Sequence, residues 1–499
     1  MSISKQPTRA VSPARGAVIV VTMRWTDRLI GFVSTLILAR LLVPADFGIV
    51  AMASIVVGLV DTLLALGVGS ALIQNRHAGR DDFDTAWTLG LIQGGVVACT
   101  LWLAAPFAAE SFRDPRVTAV VQVMACSVLL GAFENIGIVA FQKNMEFGRD
   151  FRFFFFRRIV GFVATLVCAI LLRSYWAMVL GSLVGRCAGV GLSYWLHDYR
   201  PRLSLKKARE LWSFSQWILV RNIGSYGLTQ LDKFLVGRRT DAATVGAYSL
   251  ADEVSTMPTS ELLAPLGRVL FPVFVKVAHD GEQLRQAFCK AVGIQSLFAL
   301  PAGVGLALVA QDAVPLLLGD QWVQAIPLVQ TLALISVFTA LGHSSGYVLL
   351  ALGRVWFQAV LAWMQLVLLA CLALVFFPDV GVQGIANIRL LTTAVGFFLF
   401  IGLVLYYVRA IRLADLLRQT WRPILATGIM ALLLLVLRGS AALGHFGQLV
   451  MLVVAGVASY AVAVLASWRL SGCPDGAELY LLDLLNMKGR VFGWMRVTK

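Results

Sequence analysis

Charged residues lie inside apolar stretches of this sequence that are long enough to span a membrane. The first stretch, residues 24–48, carries Arg24, Asp27 and Arg28 on one side of a predicted helix and apolar residues on the others. A charge near the bilayer centre costs about 3 kcal/mol, so such residues normally face a cavity or a charged partner. The pattern therefore favours a helix face that lines a cavity over an Arg–Asp pair that only holds helices together.

A second stretch repeats this pattern about 200 residues later, in the seventh apolar segment. Its polar side chains share one arc of the predicted helix: Arg221, Asn222, Ser225, Tyr226, Thr229, Asp232 and Lys233. So many polar groups on one arc exceed what a structural ion pair needs. We therefore expect a water-filled face that lines a cavity.

The eighth apolar segment combines acidic residues with regularly spaced prolines. Between residues 243 and 272 it contains Asp252, Glu253, Glu261, Arg268, Pro258, Pro265 and Pro272. Each proline removes a backbone donor, and in a membrane such breaks persist only where protein or cavity water satisfies the freed carbonyl. The sequence leaves two interpretations equally open: a static kink, or a hinge at Pro258 and Pro265 beside the site.

Two more features lie inside predicted spans. Asp61 is a lone carboxylate, and either pairs with Arg24 or Arg28 or binds a proton or cation. A row of glycines spaced four residues apart predicts that another helix backbone packs closely against the sixth span: Gly181, Gly185 and Gly189. Arg186 in the same span either pairs with an acid such as Glu134 or extends to the membrane surface.

The composition places the chain in a membrane. Of its 499 residues, 59% are hydrophobic and 14% charged, against about 45–50% and 25% in a soluble domain. The net charge of +15 is spread over alternate loops and forms no basic run interleaved with surface aromatics, so nucleic-acid binding is not predicted.

Sequence motifs for catalysis are missing. The sequence has no P-loop, no GxSxG and no spacing typical of metal ligands, so we predict transport without a covalent step, a metal site or a cofactor. The seven cysteines mostly fall in apolar runs and are predicted to be small core residues.

The predicted fold class is an all-α polytopic membrane protein with about fourteen transmembrane helices. The apolar segments lie at residues 17–38, 47–73, 84–108, 117–140, 153–172, 175–197, 212–236, 243–272, 287–310, 325–350, 355–377, 383–408, 421–437 and 447–468. Lys and Arg concentrate in every second loop, which places both termini in the cytoplasm. No small-residue cleavage site follows the first apolar run, so it is expected to remain as a helix rather than to be removed as a signal peptide.

An internal repeat divides the chain. LARLLVPADFGIVAMASI from Leu38 matches VGRRTDAATVGAYSLADE from Val236, and SFRDPRVTAVVQVMA from Ser111 parallels LGDQWVQAIPLVQTLA from Leu318. Two homologous halves around a midplane site are the usual build of a transporter. We predict an N-terminal tail (1–16), an N-lobe of six helices (17–197), a basic linker (198–211), a C-lobe of six helices (212–408), a terminal helix pair (421–468) and an amphipathic tail on the inner membrane surface (469–499).

These segments resemble the Wzx-type polysaccharide flippases of the MOP (MATE-like) superfamily, in the branch for exopolysaccharides such as colanic acid. The resemblance rests on LARLLVPADFGIVAMA, ALGVGSALIQ and LDKFLVGRRTDAATVGAYSLADEV and covers nearly the whole chain. It implies a two-lobe transporter that moves undecaprenyl-diphosphate-linked oligosaccharide to the periplasmic leaflet of the bacterial inner membrane. It also implies a polymerase and a chain-length regulator of the same exopolysaccharide or lipopolysaccharide pathway as partners.

The resemblance also implies a cationic cavity for the lipid diphosphate. Arg24, Arg28, Arg221 and Lys233 match that role by position in the repeat, and Arg268 by its helix. Our hypothesis is that Asp27, Asp61, Asp232 or Glu261 neutralises the empty site by binding H⁺ or Na⁺, with Asp252 as a further charge partner.

Three other functions stay open at this point. A MATE-type drug or cation antiporter would favour an acidic, aromatic-lined cavity, whereas these faces carry more cations. A membrane polymerase or glycosyltransferase for the same glycan usually has one large extracytoplasmic loop, which is not predicted here. A peptidoglycan-precursor flippase would differ mainly in the sugar.

Overall fold

The computed structural model describes residues 13–64, 72, 79–144, 146–208, 216–354, 356–438, 444–474 and 476–479. All regular structure within these ranges is helical, as the sequence predicts. The chain forms two compact units, Met1–Ser249 and Leu250–Lys499. The units are defined by packing and the predicted lobes by sequence repeat, so the lobe boundaries stay a prediction.

The first unit is a bundle of long helices. They are α1 (Pro13–Leu41), α2 (Pro44–Leu63), α3 (Arg80–Phe112), α4 (Arg116–Ala132), the short α5 (Val139–Lys143), α6 (Phe147–Leu172), α7 (Trp176–Leu196), α8 (Gln216–Arg239) and the start of α9 (Ala242–Val277). α6 packs on α7 and on α1, and α4 packs on α2, α3 and α7. α8 packs mainly on α2.

The second unit continues from α9 with six further helices. They are α10 (Gly281–Leu318), α11 (Ile326–Ala351), α12 (Trp356–Phe376), α13 (Gly381–Tyr407), α14 (Leu413–Arg438) and α15 (His445–Leu470). The stretch Trp356–Tyr407 is divided into α12 and α13 at Gly381, whose φ of 59° and ψ of −162° suit a residue without a side chain. α10 packs on α11, α14 and α15.

Carboxylates in the first turns fix where several helices begin. Asp46 accepts a hydrogen bond from the Val43 amide at the start of α2 (3.3 Å), and Asp82 accepts one from the Gly79 amide at the start of α3 (2.8 Å). Asp280 accepts from the amides of residues 282 and 283 at the start of α10. Each bond satisfies a backbone donor that has no partner within the helix.

Ten helices in the described part of the chain are long and apolar enough to cross a membrane, or eleven if the bent α4–α5 pair counts as one span. α1, α8 and α9, with 29, 24 and 36 residues, also have sufficient length, and they carry the predicted intramembrane charges. The count of fourteen spans and the cytoplasmic placement of both termini stay predictions. The span expected as one helix over 117–140 is instead broken after α4 by a bend of 65°.

Large apolar side chains cover the outside of both units, for example Leu103, Leu171 and Val436. The prediction that the cysteines are core residues is wrong for most of them: of the seven, only Cys289 is buried. Lipid tails are as apolar as leucine, so an apolar run in a membrane helix does not distinguish a core face from a lipid face.

Candidate functional site

Two arginines of α6 form ion pairs inside the first unit, and we group them with an arginine of α7 as the arginine cluster: Arg157, Arg158 and Arg186. Nη1 of Arg157 lies 3.2 Å from Oε2 of Glu134, which follows α4. Nε of Arg158 lies 3.3 Å from Oδ1 of Asp27 on α1. The predicted pairing of Arg186 with Glu134 stays a prediction.

Each arginine of the cluster passes a neighbouring helix at a glycine. A Cβ atom added at Gly31 of α1 would lie 2.7 Å from Nη2 of Arg158, and one added at Gly189 of α7 would lie 2.9 Å from Cδ of Arg157. At Gly131 of α4, the added atom would lie 3.1 Å from Cδ of Arg186. These glycines thus leave space on the surfaces of α1, α4 and α7 for the long side chains of the three arginines.

The predicted glycine row of α7 also brings α6 close. A Cβ at Gly181 would lie 1.9 Å from Oγ1 of Thr165, and one at Gly185 would lie 3.1 Å from Cα of Gly161. This close packing is the predicted role of the GxxxGxxxG row, and it is confirmed. It holds Arg186 of α7 beside Arg157 of α6, although two guanidinium groups repel each other.

The two ion pairs differ in their exposure. The side chains of Arg158 and Asp27 are 48% and 58% exposed, whereas those of Arg157 and Glu134 are 26% and 19% exposed. The Arg158–Asp27 pair is therefore the more accessible of the two. Arg28, next to Asp27 on α1, is exposed too.

Asp61 lies near the end of α2, and its side chain is exposed. Its pairing with Arg24 or Arg28 and its binding of a proton or cation both stay predictions.

The polar arc of α8 is divided between protein contacts and open surface. Asp232 is fully buried and accepts a hydrogen bond from the Tyr248 hydroxyl (2.6 Å). Tyr226 donates to the Ile55 carbonyl on α2 (2.7 Å), and Gly58 leaves room for its ring. Only part of the predicted cavity-lining face is therefore free to line a cavity; its exposed residues include Ser225 and Thr229, and Lys233 is half-buried.

In the second unit, α9 and α13 are joined by an ion pair. Nη1 of Arg389 lies 3.0 Å from Oδ1 of Asp252, and both side chains are about 15% exposed. Glu261, half-buried on α9, lies 3.4 Å from the Ser260 hydroxyl. The acidic residues predicted in α9 thus have protein neighbours within their own unit.

The helix α9 continues across its prolines, from Ala242 to Val277. Hydroxyl groups around Pro258 donate to backbone carbonyls: Thr259 to Thr256 (3.1 Å) and Ser260 to Met257 (3.3 Å). The carbonyl that Pro258 leaves without a helical donor is that of Val254, four residues earlier, so these bonds do not replace the donor that proline removes. The hinge at Pro258 and Pro265 stays a prediction.

Several predicted site side chains lie outside the described part of the structure. The backbones of these residues lie in α1, α8 and α9 as expected, but their side chains are not described: Arg24, Arg221, Arg268 and Pro265. Most of the predicted amphipathic tail, residues 480–499, also lies outside the described residues.

Sequence reasoning missed Arg157 and Arg158 as site residues. It began the fifth span at residue 153 and so assigned both arginines to the cytoplasmic end of the helix. α6 begins earlier, at Phe147, which places Arg157 and Arg158 well inside it. The signal was available in the preceding FGRDFRFFFF, ten residues of mixed charged and aromatic character that begin the helix and are not a loop.

Comparison with known proteins identifies the family. A family model described as polysaccharide biosynthesis protein matches residues 37–327, which is more than half of the chain. The chain belongs to this polysaccharide biosynthesis family. The lipopolysaccharide biosynthesis protein WzxC of Escherichia coli K12 is 26% identical over 334 residues, covering 65% of this chain and 67% of that protein.

Two further relatives are named for the biosynthesis of other polysaccharides. The teichuronic acid biosynthesis protein TuaB of Bacillus subtilis is 23% identical over 74% of this chain and 77% of its own length. The succinoglycan biosynthesis transport protein ExoT of Rhizobium meliloti is 26% identical over 61% of this chain and 62% of its own length.

Solved structures show the fold of this family member. The lipid II flippase MurJ in an inward closed conformation matches with a TM-score of 0.72 at 12% identity, over 90% of this chain and 99% of that one. An inward-facing MATE family transporter of the MOP superfamily matches with a TM-score of 0.62 at 15% identity, over 79% and 98%. The MOP-type transporter fold is therefore confirmed, and the chain is a multi-pass protein of the bacterial inner membrane.

Proposed function

We propose that this protein is a flippase that moves undecaprenyl-diphosphate-linked oligosaccharide from the cytoplasmic to the periplasmic leaflet by alternating access. The observation that carries the proposal is the arginine cluster, three cations held against glycines inside one unit of a MOP-type fold. WzxC, TuaB and ExoT are named for the biosynthesis or transport of polysaccharides, which supports a glycan substrate.

The cluster suits a diphosphate because arginine offers two parallel donors to a phosphate group. Arg158 is the first contact, since its pair with Asp27 is the more exposed of the two. When the diphosphate binds, Asp27 is displaced; when it leaves, Asp27 and Glu134 again balance the arginines. The carboxylates thus prevent a bare cationic site between transport cycles.

The membrane potential acts on this cycle in two directions. Moving a dianion outward across an inside-negative membrane is favourable by about 2.3 kcal/mol per charge per 100 mV, and returning an empty cationic site has the opposite sign. We propose that a proton or Na⁺ bound at Asp27, Asp61 or another of the predicted acidic partners neutralises the returning site. No resident cofactor is needed for this cycle.

The product on the periplasmic leaflet must be consumed by a reaction that joins oligosaccharide units. A polymerase and a chain-length regulator of the same pathway are therefore the proposed partners. Export of exopolysaccharide or lipopolysaccharide units is the proposed physiological outcome.

A MATE-type antiporter for cationic drugs is the weaker alternative, although the fold accommodates it. Three arginines positioned together repel a cationic drug unless every carboxylate of the cluster stays charged. Loss of the protein should abolish surface polysaccharide and leave resistance to cationic drugs unchanged; the reverse outcome would favour the antiporter.

The cluster is tested by Arg158→Gln and Arg186→Gln in cells that depend on this protein for surface polysaccharide. Both variants should reduce export at normal protein levels and cause the lipid-linked intermediate to accumulate. Arg116→Gln is the matched control, because it breaks an exposed ion pair with Asp114 (2.7 Å) at the beginning of α4, away from the cluster. Normal export in both cluster variants would refute the proposed role.

A further inference from the structure

A buried ion pair joins the segment after α15 to the interior of the second unit. Nη1 of Arg422 on α14 lies 3.1 Å from Oε1 of Glu478, and each side chain is only 3% exposed. The segment is held on either side as well. Nε1 of Trp468 donates to the Pro474 carbonyl (3.2 Å), and Ala477 packs against Gly293 of α10.

The polar atoms around the Arg422–Glu478 pair form a buried pocket, and several of them lack hydrogen-bond partners among the described residues. Five buried atoms have no aligned hydrogen bond among the described residues: Nε and Nη1 of Arg422, Oε1 and Oε2 of Glu478, and Oε1 of Gln419. Buried polar groups nearly always have partners, so the two unmatched donors of Arg422 mark a place where an anion with differently placed oxygen atoms fits better. Glu478 is close enough to balance the charge of Arg422 but not oriented to use its donors.

Exposed cations lead from the start of α14 to this pocket. Arg409, Arg412 and Arg418 are all exposed, and Arg422 follows one helical turn after Arg418. Arg422 lies about 13 Å along α14 from Leu413, at 1.5 Å per residue. On the predicted topology, that depth is where the phosphate layer of the cytoplasmic leaflet meets the acyl chains.

We propose that Arg422 forms a binding site for a phosphate group, and that Glu478 occupies this site from within the chain. A phosphate has more oxygen atoms than the carboxylate, so it can accept hydrogen bonds from guanidinium donors of Arg422 that Glu478 leaves unused. Its source is either a lipid headgroup or free phosphate. Binding displaces Glu478 and releases the segment around Ala477 from α10. The site is independent of the arginine cluster and of the proposed transport function.

Thermal unfolding of the purified protein in detergent tests the site. Glu478→Gln leaves the buried Arg422 without a counter-charge, so its Tm should fall below that of the wild type. Phosphatidic acid in the micelles should restore at least half of this loss and should raise the Tm of the wild type less. The double variant R422Q/E478Q should lack the response, because it has no buried cation to satisfy.

Inorganic phosphate alone serves as the second arm of this experiment. Recovery with inorganic phosphate identifies a site open to water, and recovery with phosphatidic acid alone identifies a lipid headgroup site. An equal response of Glu478→Gln, the wild type and the double variant would overturn the proposal.

A labelling experiment keeps the proposal testable if Glu478→Gln does not accumulate. Ala477→Cys places a thiol at a position that is 2% exposed. Phosphatidic acid should increase the rate at which a maleimide modifies this position several-fold, as read by peptide mass, while labelling of the exposed Cys473 stays constant. An unchanged rate at position 477 would overturn the proposal.

Discussion

Gly48 of α2 and Gly246 of α9 each lie against the first residue of the other helix. A Cβ atom at Gly48 would lie 1.7 Å from the carbonyl oxygen of Ala242, and one at Gly246 would lie 1.9 Å from the carbonyl oxygen of Pro44. Each glycine is four residues after the first residue of its own helix. The contact is therefore two-fold symmetric, and it joins the two copies of the sequence repeat.

Substituting either of these glycines should destabilise the protein strongly. In Gly48→Ala and Gly246→Ala the new methyl group meets a backbone carbonyl that cannot rotate away, so we expect a loss of about 1–3 kcal/mol or more. Thermal unfolding in detergent measures this loss. Gly90→Ala in α3 is the control, since a Cβ there has nothing within 4 Å, and alanine is favoured over glycine in a helix by roughly 0.5–1 kcal/mol. Similar Tm changes in Gly48→Ala and Gly90→Ala would contradict the close contact between α2 and α9.

Gly189→Ala should impair transport through Arg157. The new methyl group would lie 2.9 Å from Cδ of Arg157, so the side chain must move and its distance to Glu134 must change. We expect reduced polysaccharide export with little loss of protein. Gly191→Ala, on the same helix, is a close control because a Cβ there has nothing within 4 Å. Equal export by the two variants would show that the position of Arg157 is unimportant.

Breaking the Arg389–Asp252 pair from one side should cost more than removing both charges. Asp252→Asn leaves Arg389 mostly buried beside a neutral partner, and loss of one member of a buried pair costs about 3–5 kcal/mol. The double variant D252N/R389Q should recover part of this loss in thermal unfolding. If the double variant is less stable than Asp252→Asn, the charges of Asp252 and Arg389 do not stabilise each other in the folded protein.

Stability should fall in mild acid because of His197, which directly follows α7 and its candidate membrane span, Trp176–Leu196. Burial lowers the pKa of His197, and its Nδ1 accepts a hydrogen bond from the Tyr199 amide (3.0 Å). The folded state thus favours the neutral ring. Its contribution is present above the ordinary pKa of about 6.5 and is lost as pH falls through the lowered value.

Comparison of Tm at pH 7.5 and pH 5.5 measures the effect of His197. The wild type should lose more stability over this range than His197→Gln, whose amide can still accept the Tyr199 bond. If His197→Gln loses more stability between pH 7.5 and pH 5.5 than the wild type does, the claim that the folded state favours neutral His197 is wrong.

The sequence predicts features that repeat or that violate the apolar pattern. Asp27 and Asp252 stand out because charges inside apolar runs are costly, and Gly48 and Gly246 stand out as equivalent positions of a repeat. The partners of these residues could not be predicted. Arg158 is far from Asp27 in the sequence, and which charges meet is decided by how α1 packs on α6.

Two other features were missed for physical reasons. Hydropathy fixes helix ends poorly when the first turn is charged, which hid the depth of Arg157 and Arg158 in α6. It also cannot distinguish lipid-facing positions from core positions, which is why the burial of the cysteines was mispredicted. The pocket around Arg422 depends on the segment around Glu478, which packs against α14 and α10 after α15 ends. No local sequence pattern predicts this packing.

Binding of undecaprenyl diphosphate to the purified protein tests the central claim most directly. A charge-assisted hydrogen bond contributes about 1.5–3 kcal/mol, so Arg158→Gln should weaken binding by roughly 10- to 100-fold. Asp27→Asn should strengthen binding, because it removes the carboxylate that competes for Arg158. Affinities that are unchanged in Arg158→Gln, or weaker in Asp27→Asn, would contradict the claim that this ion pair opens to receive the diphosphate.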